Sequence, residues 1–131
     1  MSVEQVDTSD LREPARQRIG REAEQAALGT RVGMDEVAHC RRCKTALRAG
    51  QPVTARAHRF SDELLWTVAA VYGVRCAPER IERPTVGADE VLVEAELVTV
   101  SGCDRDGRQG TWMALALPDA IAASPATEGE S

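Results

Sequence analysis

Segments in which apolar and polar residues alternate constrain the fold of this chain more than any other feature. Residues 52–60 and 91–100 have small or branched apolar residues at every second position, and residues 111–117 repeat the pattern more briefly. A period of two places successive side chains on opposite faces of a β-strand. Residues 64–74 form a nearly continuous apolar run rich in β-branched side chains, and the Asp-Gly pair at Asp106 predicts a hairpin between the last two strands. The sequence therefore predicts a mainly β fold with a small antiparallel sheet.

The N-terminal segment has the spacing of a helix. Its apolar residues at helical spacing are Leu11, Ala15, Ile19, Ala23 and Ala26. Asp10 is a candidate N-cap and Gly29 a candidate end. Because few of these side chains are large, the segment is either a helix laid on the sheet or a partly helical or flexible arm. We therefore predict an N-terminal arm over residues 1–37, a β-rich domain over residues 38–118, and a disordered tail over residues 119–131.

The core available to such a domain is small. The chain has 131 residues, of which 3% are aromatic, so Val, Leu and Ala must form most of the core. A small domain with such a core is marginally stable unless a disulfide or a metal ion supports it. The N-terminus has neither the basic start nor the apolar run of a signal peptide, which predicts a cytoplasmic protein with reduced thiols. No apolar run reaches the length of about 18 residues that a membrane span needs.

Cys40 and Cys43, separated by two arginines, form the most informative motif. Such a pair is either a redox dithiol or half of a zinc site. A thioredoxin-like pair begins a long helix, whereas here Gly50 and Pro52 follow closely. The tight turn favours a zinc-knuckle hairpin in which two thiolates bind one metal ion. A thiol-based redox or metal-handling protein that uses Cys40 and Cys43 is the alternative.

A structural zinc site needs four ligands in a tetrahedron. Cys76 offers a third thiolate, and Gly73 stands where a second Cys-x-x-Cys pair would have its first cysteine. We expect His58 to be the fourth ligand, with Cys103 as an alternative. His39 is less favoured because it adjoins the first cysteine of the knuckle. A water molecule or an empty position would leave a weaker site.

The motifs around these cysteines resemble those of a known family. The resemblance rests on His39-Cys40-Arg41-Arg42-Cys43, Leu47, Gly50, residues 52–57, Trp66, Tyr72 and Cys76-Ala77-Pro78. This set is similar to the pattern of small haloarchaeal proteins with Cys-x-x-Cys, Gly-x-Pro-Val-Thr, Trp and Tyr-Cys-x-x-Cys-Ala-Pro, followed by a segment like residues 85–95. The resemblance covers residues 38–101 and implies a cytoplasmic, zinc-finger-like domain. This chain departs from the pattern at Gly73.

Basic residues are concentrated around the cysteine pair. Residues 38–61 hold six basic residues and no acidic residue, although the net charge of the chain is −5. Because zinc knuckles in basic surroundings bind phosphate backbones, the candidate nucleic-acid contacts are Arg41, Arg42, Lys44 and Arg48. This segment has a single aromatic residue, Phe60, and therefore few stacking platforms for single strands. A basic face that is solvated, or paired with acids of the same chain, is the alternative.

The sequence has no recognisable catalytic motif. The segment from Asp104 to Gly107 resembles the start of a calcium loop, but it lacks the later ligands and predicts a hairpin turn. Phosphate-binding loops, paired metal-binding histidines and the deaminase pattern are all absent from the sequence. We therefore predict a non-enzymatic, metal-stapled binding module with zinc as its cofactor and nucleic acid or a protein as its partner.

Overall fold

The computed structural model describes residues 8–34, 36–103 and 106–126, with the backbone alone described for residues 8–12 and 34. The elements are α1 (Thr8–Ala27), β1 (Arg31–Met34), β2 (Ala38–His39), β3 (Ala46–Leu47), β4 (Pro52–Phe60), β5 (Thr67–Gly73), β6 (Ala88–Cys103) and β7 (Gln109–Ser124). Five strands form an antiparallel sheet in the order β1-β7-β6-β4-β5, and β2 and β3 form a separate hairpin. The prediction of a mainly β fold with a small antiparallel sheet and an N-terminal helix is confirmed.

The alternating pattern determines which face of the sheet is buried. In β4 and β6, the apolar residues lie side by side in register, with Val53 opposite Ala95 and Ala55 opposite Val93. All four are buried, and they belong to one continuous core. The predicted hairpin between the last two strands is present as β6 and β7, and both strands are longer than the sequence pattern indicated.

Helix α1 packs on this apolar face, chiefly against β7 and β6. Ile19, Ala23 and Ala27 are fully buried along one side of the helix. Apart from Ile19, the buried residues of the helix are small, and the helix lies close to the sheet: a Cβ at Gly20 would stand 3.3 Å from the Cβ of Ala120. Of the two alternatives for this segment, the structure shows the helix laid on the sheet.

Two details of the helix differ from the sequence prediction. The helix begins at Thr8, so Asp10 lies inside it and is not the N-cap. Leu28 follows the last helical residue and is 61% exposed, so this large side chain does not dock on the sheet. The buried position at this end of the helix is Ala27, one residue after the predicted Ala26. The spacing does not give the rotation of the helix about its own axis. In the structure, this rotation places Ala27 rather than Ala26 against the sheet.

The end of the chain also differs from the prediction. Residues 119–124, which the sequence assigned to a disordered tail, continue β7 as far as Ser124, which pairs with Glu90. Leu117 and Pro118 form a bulge there, where a proline is tolerated within a sheet. Residues 127–131 of the predicted tail lie outside the described residues. Residues 30–38, whose sequence predicts a linker or a short helical turn, contain β1.

A single core connects α1, the sheet and the β2–β3 hairpin. Its buried members are Ile19, Ala23, Ala27, Ala38, Cys40, Leu47, Val53, Ala55, Val71, Val91, Val93, Ala95, Leu97, Met113 and Leu115. Among the described residues, no aromatic side chain is fully buried, while Trp66 and Tyr72 pack at the margin. The core is therefore made of small and branched side chains, as the composition predicted. No helix in the described part of the chain is long and apolar enough to cross a membrane.

Candidate metal centre

The β2–β3 hairpin holds the first two cysteines. Ala38 pairs with Leu47 and His39 with Ala46, so the turn between the strands contains Cys40 and Cys43. The N–H of Lys44 donates to the carbonyl of Cys40 (2.9 Å), and Lys44 itself has a φ of 66°. A residue in the left-handed region reverses the chain direction directly after the second cysteine. The hairpin therefore forms the tight knuckle that the sequence predicted.

Backbone hydrogen bonds place this knuckle against the edge of β5. The N–H of Arg41 donates to the carbonyl of Val71 (2.8 Å). Directly beyond β5, the N–H of Cys76 donates to the carbonyl of Gly73 (3.0 Å) and closes a second turn. The turn that contains Cys76 is thereby held beside the knuckle, although Cys76 is 33 residues from Cys43 in the sequence.

The three sulfur atoms of Cys40, Cys43 and Cys76 lie within 4.8 Å of one another. Cys40 is buried, Cys76 is half-buried and Cys43 is exposed, so the cluster opens to solvent on the side of Cys43. All four cysteines of the chain are free thiols. Three thiols at this separation can hold a metal ion.

Backbone amides favour the thiolate form of Cys40. Burial alone would raise the pKa of this thiol, but the N–H groups of Cys43, Gly73 and Arg42 donate to its sulfur, and the pKa falls to about 6. Hydrogen bonding with the side chain of Cys43, followed by burial and the neighbouring Cys40, raises the pKa of Cys76 to about 11. The thiolate of Cys40 therefore forms readily while Cys76 holds its proton, and a metal ion that binds both sulfurs must displace that proton.

The structure does not bring His58 or Cys103 to this cluster. His58 pairs with Thr67, whereas Val53 at the opposite end of β4 pairs with Gly73. At about 3.3 Å per residue, roughly 16 Å of strand separates the two positions. Cys103 is exposed on the part of β6 that extends beyond β4. His39 is exposed on β2 and is likewise not a member of the described cluster.

The basic segment divides into two groups. Arg56 pairs with Glu90 (2.5 Å), and Arg59 pairs with Glu22 (2.9 Å) and Asp89 (3.2 Å). Acidic residues of the same chain therefore neutralise these two arginines, as the alternative prediction for the basic face stated. The four residues that make no ion pair among the described residues, and that are all exposed, are Arg41, Arg42, Lys44 and Arg48.

The sequence reasoning missed Arg75. This exposed arginine lies between Gly73 and Cys76 in the second turn, so both turns that hold the cysteines present arginines to solvent. Its position beside Cys76, in the Gly-x-x-Cys segment, is the sequence feature that indicates a place near the cluster. Arg75 lies outside the basic segment 38–61, so the local concentration of charge does not include it.

A β-rich domain with three thiols close enough to bind one metal ion is the class of protein that this fold and site define. The chain belongs to the family described as "Domain of unknown function (DUF8112)", which matches residues 19–126. This range contains the C-terminal part of α1, the knuckle and the whole sheet. No curated protein and no solved structure matches the chain.

Proposed function

We propose that the chain is a non-enzymatic binding module of the cytoplasm, stapled by a zinc ion that Cys40, Cys43 and Cys76 hold. The convergence of three sulfur atoms within 4.8 Å, from two turns distant in sequence, is the observation that carries this proposal. At Zn–S distances of about 2.3 Å, thiolates around a tetrahedral zinc ion stand about 4 Å apart. Soft thiolate ligands also favour zinc over the hard cations. The resemblance to haloarchaeal proteins with paired cysteines supports the same metal.

The burial of the cysteines favours this function over the redox alternative. A reactive thiol needs both thiolate character and access to its partner. Cys40 has the lowered pKa, but it is 1% exposed and belongs to the core. A third cysteine also shares the cluster, which a dithiol pair does not require. The arrangement therefore suits a metal ion better than disulfide exchange.

Metal analysis of the purified protein tests this function. We expect one zinc ion per chain, with Cys40, Cys43 and Cys76 protected from alkylation until a chelator is added. Cys76→Ser should lose the zinc, and the matched control Cys103→Ser should retain it because Cys103 lies outside the cluster. A metal-free protein in which Cys40 and Cys43 readily form a disulfide would support the redox alternative instead.

For the binding partner, we infer a nucleic-acid backbone. The inference is supported by the exposed cations on the turns of the cluster, which are Arg41, Arg42, Lys44 and Arg75. Cations that contact phosphates release counterions on binding, so affinity falls steeply with salt. A protein partner with an acidic surface is the other candidate.

Measuring the affinity for duplex DNA and for RNA at several salt concentrations distinguishes a nucleic-acid partner from a protein partner. Replacing both Arg41 and Arg42 with Ala should reduce the slope of log K against log salt by about 2 for duplex DNA. The matched control replaces Arg18 and Arg21, which are exposed on α1, and should leave the slope unchanged. If neither nucleic acid binds at low salt, the nucleic-acid proposal is wrong and a protein partner is favoured.

A further inference from the structure

We propose that the metal ion held by Cys40, Cys43 and Cys76 keeps its fourth coordination position, beside Gly73, open to a thiolate from outside the chain. This inference rests on the proposed function, because it concerns the same metal ion. It adds a binding activity to a site that otherwise only supports the fold.

The first argument is the supply of ligands. All four cysteines and both histidines of the chain lie within the described residues, and only three of these six side chains converge. No Asp or Glu of the described residues joins the group either. A tetrahedral ion therefore receives three ligands from the described part of the chain and needs a fourth from elsewhere.

The second argument is the geometry at Gly73. Its N–H donates to the sulfur of Cys40, so residue 73 adjoins the cluster. The turn from Gly73 to Cys76 has the same length as the one from Cys40 to Cys43. It therefore repeats the spacing of the knuckle, with hydrogen in place of the side chain that would supply a ligand.

One side chain limits the space at this position. A Cβ built on Gly73 would stand 3.1 Å from the Cδ2 of Leu47, which must shift slightly, and apart from its chain neighbours it would meet no other heavy atom within 4 Å. Gly73 is also not among the glycines with positive φ, so its backbone conformation would accept any side chain. The glycine is therefore not required by the turn, and its effect is to leave room next to the cluster.

The third argument is access. Cys43 is exposed and Cys76 is half-buried, and Val74 in the second turn is 69% exposed. Gly73 itself is half-buried, so solvent can approach the cluster from the two turns that hold the cysteines. Zinc sites with three protein ligands and one exchangeable position are those that bind external molecules, whereas purely structural sites are closed.

Charge and donor type identify the external ligand as a thiolate. Three thiolates on Zn²⁺ give a net charge of −1, and a fourth makes it −2. The exposed cations Arg41, Arg42 and Arg75 lie on the same two turns and favour the additional negative charge. A soft sulfur donor also matches the three already present. The incoming thiol loses its proton to solvent and its sulfur replaces a bound water molecule, so no electrons are transferred.

Cobalt spectroscopy tests this inference with 2-mercaptoethanol as the probe. The experiment uses the full chain with Cys103→Ser, which removes the one exposed thiol outside the cluster, loaded with one Co²⁺. Adding the thiol should raise the sulfur-to-cobalt charge-transfer absorbance by about one third, because four thiolates replace three. Ethanol at the same concentration should cause no change.

Two variants at residue 73 serve as matched controls. In Gly73→Cys, we expect the four-thiolate spectrum without added thiol and no response to it. Gly73→Ala adds a Cβ without a ligand and should still respond. A protein that binds one Co²⁺ but shows no response to the thiol would overturn the open position and leave the proposed function intact. A protein that binds neither Co²⁺ nor Zn²⁺ would overturn both.

A final arm distinguishes the sources of the thiolate. The wild-type chain, which retains Cys103, is loaded with Co²⁺ and examined by sedimentation without added thiol. A dimer with the four-thiolate spectrum, lost in Cys103→Ser, would identify a second copy as the donor. A monomer that responds to 2-mercaptoethanol would identify small thiols as the donors. Either result supports the open position.

Discussion

The N–H of Gly73 donates to the sulfur of Cys40, so the glycine that departs from the Cys-x-x-Cys pattern is in direct contact with the cysteine cluster. The end of β5 therefore already has the position that a second pair of cysteines would require. Because Gly73 has no positive φ, a cysteine there would add a ligand without straining the backbone.

Gly73→Cys should raise both the zinc affinity and the thermal midpoint of unfolding. A fourth thiolate strengthens the site, and metal binding free energy in such small domains is also folding free energy. Leu47 must shift by a few tenths of an ångström, since its Cδ2 would stand 3.1 Å from the new Cβ. Calorimetry with and without a chelator measures the effect, and the chelator should lower the midpoint of the variant more than that of the wild type.

The control for this prediction is Gly73→Ala, which meets the same Leu47 contact and adds no sulfur. Its midpoint should stay close to that of the wild type, with or without zinc. If neither the wild type nor Gly73→Cys binds zinc, the three cysteines do not act together as a metal site.

Glu90→Gln should lower the free energy of unfolding by about 2–3 kcal/mol at pH 7. The carboxylate of Glu90 is buried, accepts hydrogen bonds from Nε and Nη2 of Arg56, and also accepts one from the N–H of Thr85. Breaking a buried ion pair leaves an uncompensated charge, although the side chain of Arg56 is 36% exposed and water reduces the cost. Glu82→Gln, in an exposed pair with Arg80, is the control and should change stability by less than about 0.5 kcal/mol.

The lowered pKa of Glu90 predicts that the protein loses stability in acid. Burial alone would raise the pKa of Glu90, but hydrogen bonds from Thr85 and Arg56 outweigh it and hold the pKa below its usual value. Its contribution is therefore fully present above the ordinary glutamate pKa of about 4.3, and it is lost as the pH falls through the lower pKa of the folded state. Urea unfolding between pH 7 and pH 3 should show a shallower acid decline in Glu90→Gln than in the wild type. Equal declines would contradict this assignment.

Ile19→Ala should destabilise the protein by about 3 kcal/mol, because it removes a fully buried side chain between α1 and the sheet. Leu28→Ala is the matched control, since Leu28 is 61% exposed just after the same helix and should cost less than about 0.5 kcal/mol. Denaturant titration of both variants measures the difference. Similar values for the two would mean that α1 does not dock in solution.

Truncation after Pro118 should lower the thermal midpoint by about 10 °C or more relative to truncation after Ala126. The shorter chain loses the pairing of Ser124 with Glu90 and the hydrogen bond from the N–H of Ala120 to Glu24 on α1 (2.7 Å). Circular dichroism melts of the two proteins provide the comparison. Equal midpoints would show that the end of β7 adds nothing to stability.

Local patterns were enough to predict most of the sheet. β4 extends over residues 52–60 as the alternation indicated, because Val53, Ala55 and Ala57 are buried at every second position. The end of β7 was missed because Pro118 signals a chain break, and only the tertiary pairing with β6 shows that a bulge absorbs it. The docking of α1 was left open because its buried stripe is mainly alanine and glycine.

Local sequence patterns also predicted part of the candidate site, and the rest depends on the tertiary structure. The Cys-x-x-Cys spacing indicates Cys40 and Cys43, and Cys76 follows because its segment is similar to a second such pair with Gly73 in the first position. Selecting His58 required knowing where β4 ends relative to the knuckle, and sequence does not give that distance. Arg75 is distant in sequence from the basic segment 38–61, and only the fold brings its turn beside the knuckle.

Cys40 belongs both to the sulfur cluster and to the core that continues to Ile19. An ion that binds only the folded cluster therefore stabilises the helix and the sheet together with the knuckle. By mass action, each tenfold increase in free ion above its Kd adds about 1.4 kcal/mol to the stability of the whole domain. The fraction of the domain that is folded, and thus its lifetime against proteolysis, would then follow the supply of metal in the cell.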